Sequence, residues 1–327
     1  MILFICSLIS FFITLILVPK IIRYLKSINL EVKDMNKEKT PLIPVSGGLA
    51  VFIGIFIGIM CFIFIQTFFY KVPNNLITPL LAALVSILII TAIGFIDDLL
   101  IGPEKERSVG LKQWQKPLLV LPAAIPLMVV NAGITQMSIP FTKIIFNTSF
   151  LYPLLLVPIA VVGAANMVNL LAGFNGLETG LGLVYTGMLG IYSYFNGTKI
   201  ATLIAFVTFG ALLAFFFFNK VPAKILPGDS LTYLLGAVIA SIAILGNIEK
   251  AALIVSIPFF IEFFLKLRGK FKPQSYGYCK DGKIHSKYKK IYSIPHFFTR
   301  TGKFTEKQVV LYVVLIELFF SSLIWVI

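Results

Sequence analysis

Long apolar stretches recur along the whole chain, and they constrain its fold more than any other feature. They are 16 to 24 residues long, about the length that an α-helix needs to cross a bilayer. No soluble domain fits between them, so residues 1–327 are expected to form a single membrane-embedded domain. The sequence therefore predicts an all-α polytopic membrane protein with about ten transmembrane helices, at about 2–19, 47–70, 78–96, 116–132, 150–165, 177–194, 200–219, 230–247, 250–266 and 309–326.

Basic residues divide unequally between the loops on the two sides of these helices. Counted with the adjoining Lys116 and Lys266, 24 of the 28 lysines and arginines belong to one set of loops: 20–46, 97–115, 166–176, 220–229 and 267–308. Cytoplasmic loops are enriched in Lys and Arg, so this set is predicted to face the cytoplasm, with both termini outside. The net charge of +14 then reflects topology and an anionic leaflet or substrate, and no segment resembles a nucleic-acid-binding module.

Two adjacent carboxylates, Asp97 and Asp98, end the third apolar stretch, where a membrane helix meets water. Two like charges side by side are unfavourable unless a cation, or a substrate that carries one, joins them. The pair therefore indicates polar chemistry at the lipid surface. The alternative is a pair of solvated residues that merely end a helix.

Three asparagines follow the fifth predicted helix. Asn166, Asn169 and Gly173 have the spacing i, i+3, i+7, which places them on one helix face, and Asn175 and Gly176 come next. An asparagine oxygen can bind a hard cation without adding charge, and glycine allows a sharp turn or a close approach to a ligand. The alternative is that Asn166 and Asn169 form hydrogen bonds between helices.

Asp229 and Lys116 lie at predicted helix ends on the same side as the Asp pair. Asp229 follows Gly228 and could cap the eighth predicted helix, but a carboxylate is also what Mg²⁺ requires beside an asparagine oxygen. Lys116 could hold a phosphate, although a basic residue at a cytoplasmic helix end is also expected from topology alone. The three cysteines lack the spacing of a zinc site or a disulfide framework, and two histidines, both in the last polar loop, are too few for a histidine metal cluster.

These motifs together resemble the polyprenyl-phosphate N-acetylhexosamine-1-phosphate transferase family. The matching segments run from Gly94 to Asp98, from Asn166 to Glu178 and from Gly228 to Ser230. Together with the ten predicted helices and the last polar loop, they extend the resemblance over essentially the whole chain. The segment Leu-Ala-Gly-Phe-Asn-Gly-Leu-Glu is similar to the archaeal and eukaryotic branch, which uses UDP-GlcNAc and dolichyl phosphate. His296 lies where bacterial relatives carry a His-rich motif.

The resemblance implies a transferase that moves N-acetylhexosamine-1-phosphate from a UDP-sugar to a polyprenyl (dolichyl) phosphate, releasing UMP. It implies Mg²⁺ as cofactor, with Asn169 and Asp229 as its ligands. Its other implications are Lys116 on the pyrophosphate, Asp97 and Asp98 on the acceptor phosphate, and substrate contacts from Asn166, Asn175, Gly176, His296 and Arg300.

The short chain favours an archaeal cell membrane over the endoplasmic reticulum, and the sequence leaves open whether the protein is a homodimer. A transporter with an intramembrane ion site is the alternative class. Transporters place polar groups near the bilayer midplane, whereas here the polar groups gather at one predicted interface.

Overall fold

The fold was obtained as a computed structural model that describes residues 1–70, 74–101, 110–131, 136–138 and 145–326. Within these ranges the helices are α1 (Ile2–Ser27), α2 (Gly48–Ile65), α3 (Ile77–Leu99), α4 (Gln115–Val120), α5 (Ile125–Val130), α6 (Val157–Leu170), α7 (Leu177–Phe195), α8 (Lys199–Asn219), α9 (Gly228–Gly246), α10 (Glu249–Val255), α11 (Ile257–Arg268), α12 (His296–Thr299) and α13 (Glu306–Ser322).

Seven helical segments of the described chain are long and apolar enough to cross a membrane, which confirms a polytopic helical membrane protein. The number ten is not confirmed, because three predicted spans do not meet that standard. One is divided into α4, a 3₁₀ turn and α5, in a stretch that contains Pro117, Pro122 and Pro126. Another is interrupted at Ser256, between α10 and α11. The third is α7, which is 19 residues long but less apolar.

Proline explains two of these departures. Its ring nitrogen cannot donate the hydrogen bond that continues a helix, and the ring crowds the preceding turn. The segments that apolar content predicts to be single helices are therefore interrupted. Three prolines interrupt the first of them, and Pro258, just after Ser256, interrupts the second.

Helix α9 lies at the centre of the bundle and packs against α2, α3, α6 and α8. It is the most buried of the seven segments, since 83% of its apolar 18-residue stretch is buried inside the structure. Two glycines let neighbouring helices approach its N-terminal end. A Cβ atom on Gly94 of α3 or Gly48 of α2 would lie within 3.0 Å of the α9 backbone, so the end of α3 is held directly against the start of α9.

Three two-stranded antiparallel hairpins decorate the bundle: β1 (Glu31–Lys33) with β2 (Leu42–Pro44), β3 (Gln136–Ser138) with β4 (Ile145–Asn147), and β5 (Tyr278–Lys280) with β6 (Lys283–His285). The first lies between α1 and α2, and the third lies between α11 and α12. These two contribute their neighbouring residues to the polar end of the bundle that is described next.

Candidate active site

The polar residues singled out above meet at one end of the bundle, where α3 and α6 end and α4 and α9 begin. Hydrogen bonds and ion pairs connect five of them across these four helices: Asp97, Asp98, Lys116, Asn169 and Asp229. We call this group the carboxylate cluster.

Asp98 holds the N-terminal end of α9. Its Oδ1 accepts a hydrogen bond of 2.7 Å from the backbone N–H of Asp229, and its Oδ2 accepts one of 3.1 Å from the N–H of Ser230. The side chain is fully buried. The first N–H groups of a helix have no partner within the helix. A negative charge at this end also interacts favourably with the positive end of the helix dipole. Asp98 thus fixes the position of Asp229.

Replacing Asp98 with alanine is expected to destabilise the protein by about 2 kcal/mol, because two buried N–H groups of α9 lose a charged acceptor. The measurement is the thermal unfolding temperature in detergent. Asp98→Asn, which retains one acceptor oxygen, should fall between Asp98→Ala and the wild type. An unfolding temperature that is the same for all three proteins would contradict this role.

Asp97 and Asp229 share a lysine. The Lys116 Nζ atom forms ion pairs with Asp97 Oδ2 and, at 2.8 Å, with Asp229 Oδ2, and it lies 5.8 Å from the centre of the Tyr233 ring. Asp97 Oδ1 accepts a hydrogen bond of 2.5 Å from the N–H of Leu111. One ammonium group between Asp97 and Asp229 offsets the repulsion between these two carboxylates. The sequence predicted a cation between the adjacent Asp97 and Asp98, but Asp98 binds the backbone of α9 instead.

Asn169 belongs to the carboxylate cluster, whereas Asn166 does not contact it. The Asn169 amide donates to Asp229 Oδ2 at 3.0 Å, and its oxygen accepts from the Thr232 hydroxyl at 3.0 Å. Asn166 lies one turn earlier on α6. Its amide donates to Val162 O of the same helix, and its oxygen accepts a long hydrogen bond of 3.4 Å from Tyr233 of α9.

Asp229 and Asn169 offer the hard oxygen donors that Mg²⁺ prefers, and their side chains are already in contact. Asp229 does not cap its own helix, since α9 has no side-chain cap at its start and Asp98 binds the backbone there instead. Among the described residues there is no group of three or more His, Cys, Asp or Glu that could hold a metal. The donor set therefore fits Mg²⁺ only if a substrate supplies further oxygens.

A polar cavity of about 240 Å³ lies next to the carboxylate cluster and shares Asn169 and Asp229 with it. Asn175 lies in its wall. The Asn175 side chain donates to Asp34 Oδ2 at 2.9 Å, and its backbone N–H donates to Glu306 Oε1 at 3.0 Å. Gly176 has φ +84°, a left-handed conformation that favours glycine, and it directs the chain from this wall into α7.

The sequence did not single out four charged or amide residues that complete the wall of this cavity or support it. Asn36 donates to Gly173 O at 2.7 Å, and Glu178 accepts from Gly173 N at 2.7 Å. Asp34 and Glu306 both pair with a lysine, Lys37. The sequence offered a signal for Glu178, because this residue is the last of the Asn-Gly-Leu-Glu segment that carries the family resemblance. Asp34 and Asn36 come from the loop after α1, which carries no motif.

The last polar loop contributes Gln274 and Tyr276 to the cavity wall, and none of its basic residues lines the cavity. His296 is fully buried, with its Nε2–H directed to Gln274 O at 2.9 Å and its Nδ1 accepting from Tyr292 N at 3.2 Å. Gln274 and Tyr276 line the cavity. His296 therefore holds this segment in place and does not itself line the cavity. Arg300 is exposed and borders a different, basic depression.

Two charged residues of α11 fix the same loop. The buried Lys266 Nζ donates to Pro273 O at 2.9 Å and to the Ser275 hydroxyl at 2.8 Å. Glu262 accepts from the N–H of Ile294 at 2.7 Å. These are interior hydrogen bonds, and they position Gln274 and Tyr276 without contact to the carboxylate cluster.

The burial of His296 predicts a stability loss in acid. Burial lowers the pKa of its imidazole from 6.5 to about 4, so the folded protein keeps it neutral. The unfolded chain takes up a proton as the pH falls through 6.5 while the folded chain does not, and the stabilisation present above pH 6.5 is therefore lost as the pH falls towards 4. The unfolding temperature of His296→Gln should change less over this range than that of the wild type or of His285→Gln. A parallel acid response in all three would remove His296 as its source.

Comparison with known proteins gives the chain a family. The profile of glycosyl transferase family 4 matches residues 80–247. A protein of Saccharolobus solfataricus, provisionally named UDP-N-acetylglucosamine–dolichyl-phosphate N-acetylglucosaminephosphotransferase, is 34% identical over 93% of this chain and 90% of its own length. A Sulfolobus acidocaldarius protein with the same provisional name is 32% identical over 96% and 93%.

A bacterial relative extends the comparison. The phospho-N-acetylmuramoyl-pentapeptide-transferase of Staphylococcus haemolyticus is 34% identical over 80% of this chain and 81% of its own length. The matched residues 80–247 include most of α3 and all of α6 and α9, and with them Asp97, Asn169 and Asp229. These matches confirm the resemblance inferred from the motifs: the chain belongs to glycosyl transferase family 4.

Proposed function

We propose that this protein transfers N-acetylglucosamine-1-phosphate from UDP-GlcNAc to a polyprenyl (dolichyl) phosphate and releases UMP. The observation that carries the proposal is the carboxylate cluster, which lies at the end of an apolar helix bundle and beside a polar cavity. Water-soluble and membrane-bound substrates can meet only at such a boundary. The provisional names of the two archaeal relatives support this donor and this acceptor.

Phosphoryl transfer needs positioning and charge neutralisation more than covalent chemistry. In the described part of the chain, Lys116 is the cation that pairs with both Asp97 and Asp229, and it would bind the donor pyrophosphate. Asp97 would then orient the acceptor phosphate for attack on the β-phosphorus of the UDP-sugar. The acceptor is a phosphate monoester whose second pKa lies near 6, so it is already largely ionised at neutral pH and needs no strong base.

Asn169 and Asp229 would hold Mg²⁺, with the donor pyrophosphate completing the ligand set. A bound Mg²⁺ supplies charge neutralisation for the phosphoryl group as it moves. Asp98 contributes indirectly, because its hydrogen bonds set where Asp229 lies. Asn175 would read the uracil or ribose from the cavity wall, next to the turn at Gly176, while Asn166 supports α6 against α9.

An apolar groove of about 310 Å³ gives the acceptor chain a place to lie. It runs between α6, α9 and the interrupted pair α10 and α11, and its lining is almost wholly apolar. Met167 and Val168 line it, so the groove reaches the last turn of α6, the turn that also carries Asn169 of the carboxylate cluster. A polyprenyl chain in this groove would present its phosphate to Asp97, an arrangement that a transporter does not need.

Ten crossings with a cytoplasmic active site remain our proposal for the topology, in a cell membrane that the two archaeal relatives suggest is archaeal. The three segments that fall short of the length or apolar content of a membrane span, α4–α5, α7 and α10–α11, then also cross the membrane. Single cysteines placed at Gly102, which lies outside the described residues, and at Gly282 should react only with reagents that reach the cytoplasm. Labelling of either from outside intact cells would contradict a one-sided site.

The direct test is UMP release from UDP-GlcNAc in detergent with dolichyl phosphate as acceptor. We expect UMP and a lipid-linked product in equal amounts, and no release without the acceptor. UDP-N-acetylmuramoyl-pentapeptide, which the bacterial relative's name suggests as a donor, should not be used. Release only from the muramoyl donor would reassign the sugar, and the absence of release from any UDP-sugar would favour the transporter alternative.

A further inference from the structure

A second groove, on the α7–α8–α13 side of the bundle, is not used by the proposed reaction. Its volume is about 530 Å³, and it shares no lining residue with the groove between α6, α9 and α11. Its walls are apolar and come from three helices, with Leu183, Val184, Phe216, Val310, Leu311 and Val314 as the main contributors. Leu311 is 53% exposed, so the groove opens sideways, towards lipid.

Two lysines mark one end of this groove. Lys220 follows α8 and Lys307 lies in the first turn of α13, and both are exposed. Neither takes part in any ion pair among the described residues. The adjacent acid, Glu306, is already paired with Lys37 and with the backbone of Asn175. This end therefore carries two lysines that have no ion-pair partner in the described part of the chain, and they lie beside an apolar channel.

We propose that this groove binds an anionic phospholipid of the leaflet on the active-site side. Its phosphate would lie between Lys220 and Lys307, and its hydrocarbon chain would lie along α13. Apolar walls ending in paired cations complement an acyl chain ending in an anion, and basic residues at a membrane surface favour anionic lipid.

The bulk phospholipid is a better occupant than the acceptor. Asn175 and Gly176 line this groove, and Asn175 also lines the polar cavity, so the two spaces are neighbours. Asp97, Lys116 and Asp229 do not line it, however, so a phosphate held here would lie away from the carboxylate cluster. This step rests on the function proposed above, but lipid binding itself does not.

The experiment is native mass spectrometry of the full-length protein in detergent, titrated with phosphatidylglycerol or phosphatidylcholine of the same chains. We expect one tightly bound phosphatidylglycerol and weaker phosphatidylcholine. Lys220→Gln/Lys307→Gln should weaken phosphatidylglycerol binding about thirtyfold, at about fivefold for each lysine. Lys224→Gln/Lys303→Gln changes the net charge equally in the same two loops but outside the groove, and it should bind like the wild type.

A second pair of variants tests the groove without changing charge. Leu311→Trp fills it from an exposed position, so the fold should tolerate the change, and phosphatidylglycerol binding should fall. Leu315→Trp, one turn further along α13 and 48% exposed, does not line the groove and should retain binding. This pair decides the question even if the double lysine variant fails to fold.

Several results would overturn the proposal. Equal losses in the two double lysine variants would reduce it to a general charge effect, and equal binding of the two lipids would remove the role of the anion. Displacement of phosphatidylglycerol by polyprenyl phosphate from Lys220 and Lys307 would identify the acceptor as occupant. A Leu311→Trp variant that dissociates a dimer would identify the groove as a contact between copies. All of these readouts use protein without UDP-sugar, so they do not depend on whether UMP release is observed.

Discussion

Asp97→Asn is expected to lower the rate of UMP release by at least about a hundredfold while the protein stays folded. The substitution keeps the shape of the side chain and an oxygen for the N–H of Leu111, but removes the charge that faces Lys116. Lys116 would then form an ion pair with Asp229 alone, and the acceptor phosphate would lose the group that orients it. UDP-sugar binding should survive better than turnover, since Asp97 does not line the polar cavity.

The control for this experiment is Asp281→Asn. Asp281 is exposed, lies in the turn between β5 and β6, and undergoes the same change of charge outside the site. Its activity should be close to that of the wild type. If Asp97→Asn retained near-normal turnover, the carboxylate cluster would keep a structural role only, and the proposed orientation of the acceptor would be lost.

Sequence reasoning identified the residues that the structure brings together in the carboxylate cluster, because they are rare polar groups at the ends of apolar stretches. It could not separate Asp97 from Asp98. Adjacent residues on a helix point about 100° apart, and which one meets Lys116 and which one meets the start of α9 depends on where α9 packs. In the structure, Asp98 accepts a hydrogen bond from the backbone of α9, whereas Asp97 forms an ion pair with Lys116. Asn166 and Asn169 diverge in a similar way, because only the last turn of α6 reaches the carboxylate cluster.

The residues that the sequence missed share a different cause. Asp34 and Asn36 reach the cavity because the β1–β2 loop folds back over the segment that follows α6 and over the first turn of α13. Such long-range contacts leave no periodic pattern in the sequence. His296 and Arg300 show the converse. Both lie in the loop where basic ligands were expected, yet one is buried against the backbone and the other borders a separate depression.

Asp229→Asn is expected to remove Mg²⁺-dependent activity, by about a thousandfold or more, without loss of stability. Stability should persist because the Asp229 side chain does not cap α9. Its backbone N–H binds Asp98, and the substitution leaves that bond intact. Activity should fall because, among the described residues, this carboxylate is the anionic group in contact with Asn169, and it is also a partner of Lys116.

Metal binding provides a readout that does not depend on turnover. With Mn²⁺ as a spectroscopic probe for Mg²⁺, the wild type should bind the ion weakly alone and more tightly with UDP-GlcNAc, since two protein oxygens are too few without the pyrophosphate. Asp229→Asn should lose the nucleotide-dependent binding, Asn169→Ala should lose most of it, and Asp281→Asn should retain it. Near-normal metal binding and turnover in Asp229→Asn would contradict the proposed ligand set. Asp229 would then be a partner of Lys116 only, and the charge of the moving phosphoryl group would have to be neutralised by Lys116 without help from a protein-bound cation.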